Sequence, residues 1–124
     1  MKTHLVTTFK LGLRFARLFV EADSENGSVK FFPKDSGSAT VIIGVDCSWG
    51  AALSILLHEL YEAVLIDLNT RYHLDPSYTK EASDLMFLVS HNQLAEAHER
   101  VGSALAVVLP DFTKAYKKYS KHKD

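Results

Sequence analysis

Residues 48–71 read SWGAALSILLHELYEAVLIDLNTR, a run too long and too evenly apolar for a strand. Asp46 or Ser48 can cap its start, and the pattern predicts a helix from about Trp49 to Arg71. Leu53, Leu56, Leu57, Leu60, Val64 and Leu68 supply its main apolar stripe. His58 and Glu62 fall off that stripe, on a strip whose neighbours Ala51, Ile55 and Ile66 are apolar as well. Such a helix is expected to be buried on most sides, with His58 and Glu62 at least partly enclosed. A histidine and a carboxylate four residues apart stand one above the other on a helix, within reach of a single metal ion. Burying an ionised carboxylate is costly unless it is paired or metal-bound. The pair therefore reads either as metal ligands or as a buried, hydrogen-bonded His–Glu pair that specifies packing.

Upstream of this helix lie three strand-like segments. Leu13 to Glu21 is rich in aromatic and aliphatic residues; Arg14 and Arg17 break strict alternation, which leaves a short helix as the alternative. Asn26-Gly27 supplies hairpin-turn chemistry. Val29 to Phe32 forms the next segment, ended by Pro33, and Lys34 to Ser38 reads as another turn. Thr40 to Val45, TVIIGV, is the strongest strand signal in the chain. Together these predict a small antiparallel three-stranded meander with 40–45 well buried.

Downstream, Tyr72 to Ser83 contains Asp75-Pro76-Ser77 and reads as a loop, and Leu85 to Val89 as a short strand or an extended approach to the next helix. Ser90 with Gln93 forms a capping box for a helix from His91 to about Leu109. Its stripe is Leu94, Ala97, Val101, Leu105 and Val108, flanked by His91 and His98, while Glu96, Glu99 and Arg100 point away. Pro110 ends this helix, and Asp111 caps a last one from Phe112 to Tyr119. Residues 119–124 are expected to fray. The expectation is an α+β fold in a single domain, 1–124: a three-stranded antiparallel sheet, a long buried helix and two further C-terminal helices.

Composition agrees with a globular domain: of 124 residues, 47% are hydrophobic and 23% charged, and this length buries a core without staples. The net charge of -1 argues against binding dominated by phosphate contacts. Lys114, Lys117, Lys118, Lys121 and Lys123, interleaved with Tyr116 and Tyr119, read as a solvated face and tail. The single cysteine, Cys47, excludes an internal disulfide and fits a reducing cytoplasm; it reads as a small, partly buried thiol rather than a nucleophile. No secretory signal is expected, and no uninterrupted apolar stretch reaches the ~20 residues that cross a bilayer. Gly12, Gly44 and Gly50 lack phosphate-loop spacing, and no GxSxG element occurs.

The ligand set the residues suggest is His58, Glu62 and one histidine of the later helix. His91 is preferred because it opens that helix beside a loop, where a site stays accessible. His98 lies two turns deeper and reads as a supporting or core residue; His4, His73 and His122 fall in loop or terminal segments and read as solvated. Two imidazoles and a carboxylate, with water in the fourth position, form a catalytic zinc set. With more open positions the same set suits non-haem iron.

These features resemble the minimal core of zincin-like proteins: three strands, the Gly44-Val45-Asp46 connection, the helix carrying Leu56-Leu57-His58-Glu59 and a later helical ligand. The HExxE form and the compact Leu88-Val89-Ser90-His91 segment are also similar to small proteins encoded by phages and prophages. The likeness spans roughly residues 13–109 in arrangement, but its specific part is the few residues around His58. It implies His58 as first zinc ligand, Glu59 as general base and His91 as third ligand, with Glu62 where the family carries a second histidine. Two functions follow. One is a small metal-dependent hydrolase, peptidase-like, using zinc or iron. The other is a non-catalytic phage-type protein, in the host cytoplasm, that binds a host or virion protein through an exposed surface of a degenerate zincin-like core; Trp49, Phe87 and Phe112 are the candidate contacts, although core burial is the favoured reading of each.

Overall fold

Gly12 has a positive φ of 64°, and this turn folds β1 (Thr3–Leu11) back onto β2 (Arg14–Glu21) as an antiparallel pair. The structure is a computed structural model that describes residues 3–12, 14–32, 38–68, 71–73 and 85–122. β1 is an addition to the strands read from the sequence. Its alternation is broken at Val6, where the register slips, so Leu5 falls on one face of the sheet and Phe9 and Leu11 on the other. β2 is a strand despite its arginines. Arg14, at its start, turns to Asp67 at 2.8 Å, and Arg17 faces outward, exposed.

β3 (Gly27–Phe32) and β4 (Ser38–Gly44) complete the sheet. β4 inserts between β2 and β3, parallel to the first and antiparallel to the second, giving the order β1-β2-β4-β3. The expected three-stranded antiparallel meander is thus corrected to a four-stranded mixed sheet. Asn26-Gly27 joins two strands that do not pair with each other, so it makes no hairpin. Its loop is instead clipped to the end of β4: the Gly44 N–H donates to the Asn26 carbonyl at 2.7 Å, and the Asp46 N–H to the Ser24 carbonyl at 2.9 Å.

α1 (Trp49–Asp67) starts at Ser48, whose hydroxyl accepts from the Ala51 N–H at 3.2 Å. It ends four residues before the expected Arg71, which lies instead in β5 (Arg71–His73), paired antiparallel with β6 (Leu85–Phe87). Of the predicted turn Lys34 to Ser38, Ser38 instead opens β4 and 34–37 lie outside the described residues, as does the predicted loop from 74 on. α1 packs over β3 and β4 with Ala52, Leu56, Glu59, Leu60, Ala63 and Val64 inward. Leu57, expected on the inner stripe, is exposed. α1 is also long and apolar enough by composition to cross a bilayer, a property it shares with helices pressed onto a sheet.

α2 (His91–Tyr119) opens with both halves of the expected capping box, Ser90 and Gln93 bonding reciprocally. It is one continuous helix of 29 residues where two were expected. Pro110 removes one N–H, but the carbonyl it frees belongs to Ala106. Both residues are exposed, so the break falls on the solvent side of the helix while buried Val108 and Phe112 carry it past the proline. α2 covers β1 and β2 and runs antiparallel to α1. Trp49 stacks on Phe112, and the Tyr116 hydroxyl donates to the Cys47 carbonyl at 2.7 Å. Asp67 at the other end of α1 meets Arg100.

One core joins both helices to one face of the sheet: Leu18, Val20, Val41 and Ile43 below, Leu56, Leu60, Val108 and Phe112 above. Phe112 is fully buried, the core placement expected of it ahead of a surface contact. Residues 119–122 are tied down rather than frayed. Tyr119 stacks on His4, Ser120 is buried, Lys121 reaches Asp23 and His122 reaches Asp46.

Candidate metal centre

Ala52, Leu56, Glu59 and Ala63 are spaced four, three and four residues apart, which is the inner stripe of a helix lying on a sheet. Glu59 therefore takes a place where an apolar residue would ordinarily stand, and it is only 6% exposed. Its neighbour across the gap is Gly27, the first residue of the edge strand β3. A Cβ at position 27 would lie 2.8 Å from Glu59 Cγ and 3.0 Å from its Oε1. The missing side chain is what lets α1 settle this close to the strand; Gly27 is there for close approach, since among the described residues Gly12 is the glycine with positive φ. Burial pushes the Glu59 carboxyl above the ordinary carboxylate range, the nearby Glu62 charge adds to the rise, and His58 opposes it.

His58 and Glu62 stand on the neighbouring strip of the same helix. His58 Nε2 lies 3.3 Å from Glu62 Oε2. The expected enclosure holds only in part: the Glu62 side chain is 27% exposed, but that of His58 is 70% exposed. The reason is angular. The inner stripe is centred on Leu56 and Ala63 rather than on Leu57, which turns His58 toward solvent.

One donor atom from each of His58, Glu59 and Glu62 can be chosen so that all three lie within 4.8 Å of one another, a group that could hold a metal ion. The donors suit it chemically, with one imidazole nitrogen and two carboxylates. At bond lengths of about 2.0–2.2 Å, ligands of a tetrahedral zinc stand about 3.4 Å apart. The 3.3 Å His58–Glu62 separation matches that edge. The wider separations need modest side-chain adjustment, and exposed His58 is free to supply it.

The structure does not bring His91 into this group. Tyr61 meets His98 across the helix pair, and the helices are antiparallel. His91 lies seven residues before His98, about 10 Å further along the α2 axis, toward the C-terminal end of α1. His58 lies the other way from Tyr61. His98 is an exposed partner of the Tyr61 hydroxyl rather than a core residue. His4 and His122 are engaged by Tyr119 and Asp46 rather than simply solvated. Cys47 is half-buried. Sequence reasoning named His58, Glu59 and Glu62 but missed the burial of Glu59 and the part played by Gly27. The Ala52–Leu56–Ala63 spacing carries the signal for the first, muted because alanines mark a stripe weakly. No protein-family model, curated protein or solved structure matches this chain.

Proposed function

We propose that this chain is a small zincin-like, metal-dependent hydrolase acting on peptides, with His58 and Glu62 as metal ligands and Glu59 as the group that takes and returns a proton. The observation that carries this reading is the 3.3 Å approach of His58 Nε2 to Glu62 Oε2, with the Glu59 carboxyl within 4.8 Å of both on the same helix. Zinc suits a mixed nitrogen and oxygen donor set, with iron as the alternative. Such an ion, when bound, polarises a substrate carbonyl and lowers the pKa of a water. The residues supply the rest. The Glu59 carboxyl stands beside the two ligands, where it can take a proton and return it. β3 supports a peptide as substrate: it is the outermost strand on its side of the sheet, and it begins at Gly27, against Glu59. An extended peptide can add to such an edge through its backbone.

The test is cleavage of casein by the zinc-supplemented protein. Glu59→Gln is expected to lower the rate at least about a hundredfold while metal stays bound. Equal rates for wild type and Glu59→Gln would contradict the assignment. The exposure of His58 favours a second reading, a non-catalytic protein that binds a host or virion protein on the same core. Under it the metal-free protein binds its partner undiminished.

A further inference from the structure

We propose that the open face of the sheet binds single-stranded nucleic acid, with Phe15 and Phe19 as platforms for bases and Lys10, Arg17 and Lys30 as phosphate contacts. Both helices pack on the opposite face, and among the described residues no helix covers this one. Along β2, Phe15, Arg17 and Phe19 share it by simple alternation. The pairings place Lys10 beside Phe15, Leu5 beside Phe19, and Lys30 one strand beyond Arg17 across Thr40. Phe15 is 63% exposed and Leu5 57%.

The arrangement has the chemistry of a nucleic-acid strand rather than of a protein. Phe15 and Phe19 are about 13 Å apart along the strand, with Arg17 midway, so stacking surfaces and a cation alternate. Bases stack on aromatic faces without regard to sequence while lysines and arginines pair with phosphates. The Lys10 ammonium lies over the Phe15 ring, 5.2 Å from its centre; on its flexible stem it can move off the ring to meet the phosphate of a base stacked there. Three cations share this face while the whole chain carries -1, so the basicity is local; Glu21 is the acidic residue at the far end of β2's row. The two lysines stand on the outer strands β1 and β3 and flank Arg17 on β2, so the cations cross the sheet as a row. The face lies on the other side of the sheet from His58, so the inference stands or falls apart from the metal site.

The experiment is fluorescence anisotropy of a labelled oligo(dT) of about 12 nucleotides, within the site size of single-strand-binding folds, titrated with the full chain. Saturable binding that weakens with salt is expected. Phe15→Ala and Arg17→Glu should each weaken it about fivefold or more, while Lys117→Glu, on the exposed side of α2, should leave it within about twofold. Four results would overturn the proposal. One is no binding at low salt, another is loss as large from Lys117→Glu, and a third is duplex bound as tightly as the single strand. The last is a sedimenting dimer that Phe15→Ala dissolves, which would assign the face to a second copy.

Discussion

Glu59 is a carboxylate in the position of a core residue, and its cost depends on pH. The folded protein holds the Glu59 proton more tightly than the unfolded chain does, because burial and the Glu62 charge disfavour the ionised form. Between the ordinary carboxylate pKa and the raised one, the unfolded state therefore binds fewer protons, and stability falls as pH rises through that window. Below it the contribution is intact, because both states are protonated. In chelator-treated protein, Glu59→Gln should remove this slope and be the more stable form at neutral pH. Urea midpoints of both proteins between about pH 4 and pH 8 measure it, and parallel curves would show that Glu59 does not carry the dependence. The spacing of His58 and Glu62 was legible in the sequence because a helix fixes which residues lie four apart. The depth of each was not. Depth depends on which side of α1 meets the sheet, and Leu57, Ala52 and Ala63 give opposing signals about that.

Pro110 shows how an element can overrule a residue's own preference. It sits inside α2 with Val108 and Phe112 buried on either side, so packing against the sheet and α1 holds together a helix the local sequence would divide. Pro110→Ala restores an N–H for the Ala106 carbonyl and should raise stability by up to about 3 kcal/mol, read as a higher urea midpoint. A lower midpoint would mean that the proline ring itself is needed for packing. The same balance explains what could be read of the other elements. The Ser90–Gln93 box and the Ser48 cap are local signals, and both helix starts were found. The β1 strand was missed because the Val6 bulge shifts its alternation. The sheet order was misread because turn chemistry at Asn26-Gly27 is local, whereas the insertion of β4 between β2 and β3 is not. Arg14 looked like a break in a strand; its partner Asp67 is 53 residues away, beyond any local pattern.

At the scale of the molecule, both helices lie on one face of the sheet and the group on α1 stands at its β3 edge. The core of Leu18, Val41, Leu56, Leu60 and Phe112 is continuous without it. Loss of metal should therefore lower stability only by the binding free energy of the ion rather than unfold the chain. A His58→Ala variant should accordingly remain folded, since that side chain is mostly exposed, and this makes the metal hypothesis directly measurable. The decisive measurement is elemental analysis of untagged protein purified without chelator, beside folded His58→Ala. About one zinc or iron per chain in the wild type, lost in the variant, is the expected result. No metal in either protein, or equal metal in both, would contradict a metal centre on α1.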